Sequence, residues 1–209
     1  MPRLTRFLAA AGCIAYPLLS HAAAVRGEAY WAAAGVALLG WGIASVGLGA
    51  LASAVLGLII LAAALALAVL APAVILYAPP LVLNLALCAL FGGTLIAGRE
   101  AMVSRFARIE RGELPPELTR YTRALTGTWA AFFALMACIS LGLALWASTL
   151  AWSLFTNLGN YLLVGVFFAV EYHYRRMKYP QYAHASLGEF MRRLHTYRPL
   201  SGPTNESKA

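Results

Sequence analysis

Charge is what this sequence has least of. Only 11% of its 209 residues are Asp, Glu, Lys or Arg, against 61% hydrophobic residues. An average soluble domain is about 25% charged and about 45–50% apolar. A water-soluble fold of this length has too little interior to hide so much apolar surface, so the composition excludes a soluble enzyme and a disordered chain. Paired cysteine is also missing. Cys13, Cys88 and Cys138 are an odd number, far apart, with no C-x-x-C spacing. That excludes a secreted disulfide scaffold and leaves them as small apolar packing residues. The four histidines, at 21, 173, 184 and 195, contain no i, i+4 pair, so no metal or other cofactor is expected. Period-2 alternation is absent, which argues against a transmembrane barrel.

What is there instead is long apolar runs. From Ala29 to Gly98, seventy residues pass without one Asp, Glu, Lys, Arg or His, and Asn84 is their only side-chain amide. A spanning helix needs about 20 apolar residues. The run therefore fits three spans, near 29–47, 51–70 and 78–97, with breaks at Gly47 and Gly49 and at Pro72, Pro79 and Pro80. A charged loop over 98–125 leads to two more, near 126–148 and 151–172. Segment 7–24 makes a sixth. It has a rival reading as a cleaved signal peptide, because Arg3 and Arg6 precede the apolar stretch from Phe7 to Leu19 and Ala22-Ala23-Ala24 follows. The expected fold class is all-α, a polytopic transmembrane helix bundle of six spans, five if the first is cleaved. It forms one membrane domain over 1–200, with a disordered tail over 201–209.

Basic residues orient the chain. With the N-terminus inside, fifteen of the sixteen Lys and Arg residues fall on the inner side and only Arg26 falls outside, as the positive-inside rule requires. The net charge of +8 then marks a face meeting anionic lipid headgroups, and nucleic acid is not expected as a partner. Tyr30, Trp31, Tyr77, Trp152, Tyr172 and Tyr174 sit at span ends, where amphipathic rings anchor.

Two segments on that face carry most of the information. In the loop, Met102, Phe106 and Ile109 recur at i, i+4, i+7, with Arg105, Arg108 and Arg111 between them. This spacing predicts an amphipathic interfacial helix, ended by Gly112 and followed by a new element at Pro115-Pro116. Its arginines read either as a solvated face beside Glu100, Glu110, Glu113 and Glu117 or as a docking surface for a soluble partner. In the C-terminal segment, 173–200, and the span before it, Asn157, Asn160, Val164, Phe168, Glu171 and Arg175 share one helix face. Glu171 and Arg175 are spaced to pair. They either cap the inner end of the span or, with His173 and Arg176, meet a polar lipid or acyl headgroup. Asn84 and Asn157 lie at similar depth, where a contact between them would be a helix–helix hydrogen bond and a substrate contact the alternative. Ser186 and Glu189 form a capping box that starts a short inner-leaflet helix. Small residues at Gly35, Gly40, Gly42 and Gly47 permit close helix packing without specifying dimerisation, and the oligomeric state stays open.

The strings FGGTLIAGREAMVSRFARIERGELPPELTRYTRALT and WSLFTNLGNYLLVGVFFAVEYHYRRMKYPQYAHASLGEFMRRL resemble a family of bacterial inner-membrane proteins encoded in aryl polyene and xanthomonadin-type pigment clusters. The likeness covers about residues 79–195. It implies a bacterial inner-membrane location and a pathway context without a reaction or catalytic residues; the basic residues place both termini on the cytoplasmic side. Three roles are then open. The chain is an accessory protein anchoring cytoplasmic acyl-carrier or acyltransferase proteins beside membrane lipids, an interfacial enzyme acting on a lipid or acyl headgroup, or a transporter component for the lipid product.

Overall fold

The structure, a computed structural model, describes residues 3–96 and 98–180. Every regular element among them is helical: α1 Arg3–Arg26, α2 Ala29–Gly47, α3 Ala50–Leu70 and α4 Pro72–Gly93. A short α5, Met102–Arg111, precedes the long α6, Pro116–Trp146. Helix α7, Thr149–Leu154, passes through a π turn at Phe155–Gly159 into α8, Asn160–Lys178. The helix expected from Ser186 and the tail 201–209 lie outside the described residues.

The surface is inside-out relative to a soluble protein. Leu51, Val69 and Leu70 are 80%, 81% and 83% exposed, whereas Ser20, Ser53, Thr126, Ser140 and Ser153 are buried. Lipid tails are as apolar as leucine, so outward leucines cost nothing in a bilayer and hydroxyls face neighbouring helices. Four helical stretches are long and apolar enough to cross a membrane: Leu51–Leu70, Pro72–Gly93, Pro116–Trp146 and Thr149–Lys178. Ala29–Ser45 is apolar but shorter. The chain is a multi-pass membrane protein built as an all-α bundle.

Three boundaries differ most from the sequence reading. Helix α4 begins at Pro72 rather than near 78 and carries Pro79 and Pro80 inside it. Pro72 sits at the first helical position, where its missing N–H has no intrahelical partner to lose. Pro79 and Pro80 remove donors for the carbonyls of Ile75 and Leu76, which a helix packed among other helices tolerates. Helix α6 starts ten residues before the expected span, so the charged loop contains α5 and the first turns of α6. At 1.5 Å per residue α6 is roughly 46 Å long, more than a hydrocarbon core of about 30 Å, and its basic first turns project beyond it. The last span runs on past Tyr172 to Lys178.

Helix directions alternate. Arg123 Nη2 donates to Leu95 O just after α4, at 2.5 Å. Tyr77, near the start of α4, meets Thr149 just after α6, with their hydroxyls 3.1 Å apart. Thus α4 and α6 are antiparallel. Tyr121 of α6 meets Glu171 of α8, and Trp129 meets Phe167, so these two are antiparallel as well. His21 pairs with Ser153 and Tyr16 neighbours Tyr161, so α1 also runs against α7 and α8. The start of α1, the end of α4, α5, the start of α6 and the end of α8 therefore lie at one end of the bundle. Arg26, at the end of α1, lies at the other.

Close packing joins α1 to α2. A Cβ on Gly12 would lie 2.8 Å from Leu38 O, and one on Gly35 would lie 3.3 Å from Tyr16 O. The small residues are used within the chain. Farther along, Ala33, Ala64 and Ile75 form a core joining α2, α3 and α4. The largest aromatic cluster centres on Trp129, whose ring lies 4.2 Å from Phe167, 4.6 Å from Phe168 and 5.5 Å from Phe133 between centroids.

Candidate functional site

The basic end is assembled by hydroxyl groups. The N-cap of α5, Ala101, has no side chain able to accept a hydrogen bond. Its first amides are instead satisfied from distant elements: Met102 N donates to Thr94 Oγ1 at 3.0 Å, and Val103 N donates to Thr126 Oγ1 at 3.2 Å. Thr122 donates to Leu118 O at 2.8 Å. That leaves Ser104 to donate to Thr122 Oγ1, 2.6 Å away. Helix α5 is thereby stapled along the first turns of α6. Gly112 ends it with φ +80, a left-handed conformation that glycine adopts without a Cβ clash.

Of the three arginines read on α5, Arg105 is exposed and Arg108 pairs with Glu100, its Nε 2.8 Å from Oε1. Arg111 is described in its backbone only, as the last residue of the helix.

The groove lies beside this platform, between the start of α6 and the end of α8, with a volume of about 650 Å³. Its rim is polar: Glu117, Arg120, Tyr121, Glu171, Tyr174 and Lys178. Its wall is apolar: Ala124, Leu125, Phe167 and Val170. Glu171 is the fixed point. Its Oε1 accepts from Tyr121 Oη at 3.0 Å and lies 3.3 Å from Arg175 Nε. The Glu171 side chain is 12% exposed and that of Arg175 27%. Both contacts fall on Oε1, so one oxygen of the carboxylate is held by a phenol from α6 and a guanidinium from its own helix. Lys178 Nζ donates to Tyr174 Oη at 2.8 Å and lies 5.2 Å and 5.9 Å from the ring centres of Tyr174 and Tyr179. The Tyr121 ring stacks on Tyr174 and meets Tyr179 at 5.2 Å. Phenols, two cations and two carboxylates thus surround the mouth, and apolar side chains line the rest of the groove.

The expected Glu171–Arg175 pair forms. His173 and Arg176, expected beside it, are exposed and do not line the groove, because they fall on other faces of α8. Asn84 Nδ2 donates to Pro80 O on its own helix at 2.9 Å, and Asn157 Nδ2 donates to Ser153 Oγ at 3.0 Å. Each of these bonds lies within its own helical segment, so neither asparagine uses its amide N–H on the other. Asn160 lies at the start of α8 with its Oδ1 buried. Sequence reasoning missed Tyr121, Tyr179 and the role of Lys178. Only the i, i+4 spacing of Tyr174 and Lys178 was there to find.

Neither Ser nor Cys lines the groove, and the Thr128 hydroxyl donates to Ala124 O at 3.1 Å. Among the described residues, no three His, Cys, Asp or Glu side chains gather where they could hold a metal ion. No family model, no curated protein and no solved structure matches this chain.

Proposed function

We propose that this protein binds the headgroup end of an amphipathic lipid or acyl molecule in the α6–α8 groove, at the cytoplasmic face of a bacterial inner membrane. The observation that carries this reading is the groove's two-part lining. Lys178, Arg120 and the tyrosine hydroxyls offer charge and donors at the rim, and the apolar wall between Phe167 and Leu125 takes the adjoining chain. In topology the proposal is six spans with both termini cytoplasmic. The shared position of the α1 start, α5 and the α8 end supports it, as does the positive-inside rule, by which the sequence assigns fifteen of its sixteen basic residues to the inner side. The pathway proposed is one that builds an aryl polyene or related lipid, on the strength of the resemblance.

Mass spectrometry of lipids co-purifying with the protein from its own membranes tests this. Expected is one enriched amphiphile that is lost in Lys178→Ala and Tyr121→Phe. Bulk phospholipid alone, in unchanged proportions across wild type and variants, would defeat the reading. Deleting the gene and profiling extracted lipids then identifies the pathway.

A second reading, as an anchor for cytoplasmic acyl-carrier or acyltransferase proteins, is favoured by the exposed Arg105 on a helix clamped by Thr94, Thr122 and Thr126. A rigid basic surface suits an acidic partner. Charge reversal at Arg105, Arg108 and Arg111 that abolishes co-purification of a pathway enzyme, with lipid binding retained, would establish it.

A further inference from the structure

The groove between α6 and α8 is graded along its length. Its α6 wall carries Glu117, Arg120 and Tyr121 first and Ala124 and Leu125 later, at spacings that keep them on one helix face. Its α8 wall runs the other way, from Phe167 and Val170 to Glu171, Tyr174 and Lys178. Because the helices are antiparallel, the charged ends of both walls lie at the end of the bundle that bears α5, and the apolar ends lie together farther along. At 1.5 Å per residue, Phe167 and Lys178 are roughly 16 Å apart along α8. A lipid in one leaflet has the same grading, with its headgroup at the surface and its chain running along the helices.

The rim has a sign. Arg175 answers Glu171. Arg120, Lys178 and Arg175 against Glu117 and Glu171 leave one net positive charge. Neither Arg120 nor Lys178 lies in an ion pair among the described residues. Lys178 Nζ donates to Tyr174 Oη and sits over the rings of Tyr174 and Tyr179, and the Tyr121 ring is stacked on Tyr174. That placement excludes a quaternary ammonium headgroup, since the ring faces that would hold it already hold the chain's own cation. An oxyanion meets donors from both walls instead. Arg120 brings its fork from α6. Lys178 keeps the N–H bonds it does not give to Tyr174, and Tyr174, which accepts from Lys178, keeps its own O–H to donate. The Arg120 fork by itself can engage both oxygens of a carboxylate. A phosphate monoester brings three acceptor oxygens, so one remains for the donors of α8.

Given that the groove binds a headgroup, as proposed above, we infer that this headgroup is a phosphate monoester on a lipid. It is held between Arg120 of α6 and Lys178 and Tyr174 of α8, with the chain lying along Leu125, Val170 and Phe167.

Native mass spectrometry of the full chain in detergent tests this. The probes are dioleoyl phosphatidic acid, dioleoyl phosphatidylglycerol, dioleoyl phosphatidylcholine and oleic acid, at equal concentrations. Expected is phosphatidic acid bound about tenfold more than phosphatidylcholine or oleic acid, the worth of one charge-assisted hydrogen bond. It is also bound several-fold more than phosphatidylglycerol, whose diester lacks the third free oxygen. Arg120→Gln and Lys178→Gln each remove most of that excess, and Arg176→Gln, on another face of α8, leaves it intact. Phosphatidic acid held no better than phosphatidylglycerol or oleic acid would overturn the inference. So would an excess that survives both groove substitutions, or one that falls equally in Arg176→Gln. Sodium phosphate at the concentration of the lipid leaves the bound lipid in place, and displacement by it would assign the site to free phosphate and overturn the lipid. The groove reading fails separately. A native amphiphile enriched from membranes and lost in Lys178→Ala, without this ranking of probes, keeps that reading and overturns the monoester.

Discussion

Tyr121 donates its phenolic proton to Glu171 Oε1 at 3.0 Å, across 50 residues of sequence, and so ties the first turns of α6 to the last turns of α8. The same oxygen meets Arg175 at 3.3 Å. One carboxylate therefore closes the groove's inner rim and orders the phenol that stacks on Tyr174.

Removing that phenol tests the tie. A hydrogen bond to a charged group is worth about 1.5–3 kcal/mol when buried, and the partial exposure here lowers the expected cost of Tyr121→Phe to about 1 kcal/mol. Glu171→Leu costs more, since it strands both the phenol and Arg175. Thermal unfolding in detergent measures both. A Glu171→Leu protein as stable as Tyr121→Phe would contradict the shared role.

Helix α5 depends on caps from outside itself. Thr126→Val and Thr94→Val each remove an acceptor for a first-turn amide, at about 1 kcal/mol per cap. Hydrogen exchange at Met102 and Val103 should speed up in both variants, while exchange in the middle of α6 stays slow. Unchanged exchange at those two amides would show that other groups cap the helix.

Gly12 sets the distance between α1 and α2. In Gly12→Ala the new methyl meets the Leu38 carbonyl at 2.8 Å, and backbone cannot move aside as a side chain can. A loss of about 1–3 kcal/mol is expected. Gly165→Ala, with nothing within 4 Å of its Cβ, is the control and should be neutral or slightly stabilising through helix propensity. Thermal unfolding of the two variants side by side decides the matter.

Glu28 is the pH-sensitive joint at the opposite end. Tyr30 Oη and Trp31 Nε1 donate to its Oε2 at 2.5 Å and 2.8 Å. These two bonds, followed by the nearby Arg26, hold its carboxyl below the ordinary carboxylate range. The folded pKa lies under the unfolded one. The ionised contact is thus complete above about pH 4.3, the ordinary Glu value, and is lost as pH falls through the lowered folded value. The Trp31 indole N–H resonance in NMR should stay constant down to that range and move only below it. In Glu28→Gln the titration disappears. Movement of the resonance in wild type between pH 7 and 5 would contradict the assignment.

Much of the bundle was legible in the sequence. The charge-free stretch from Ala29 to Gly98 contains α2, α3 and α4. Gly112 and Pro115-Pro116 mark the end of α5 and the start of α6 at the expected places. The Glu171–Arg175 pair follows from one helical turn. The misread points have physical causes. Pro79 and Pro80 look like breakers because proline breaks helices in water, yet α4 continues through them among packed neighbours. Asn84 looks like a link between helices, yet its amide turns back to Pro80 O, a carbonyl on its own helix.

Hydropathy, charge and turn signals are sums over neighbours along the chain. The sequence by itself therefore determined that this protein lives in a membrane, that it is helical, and that its basic residues gather in a few segments. Tyr121 with Glu171, Thr126 with Val103, and His21 with Ser153 are 50, 23 and 132 residues apart. Only tertiary structure decided those meetings, because they depend on which antiparallel helices pack together and at what height. The groove is a product of that packing.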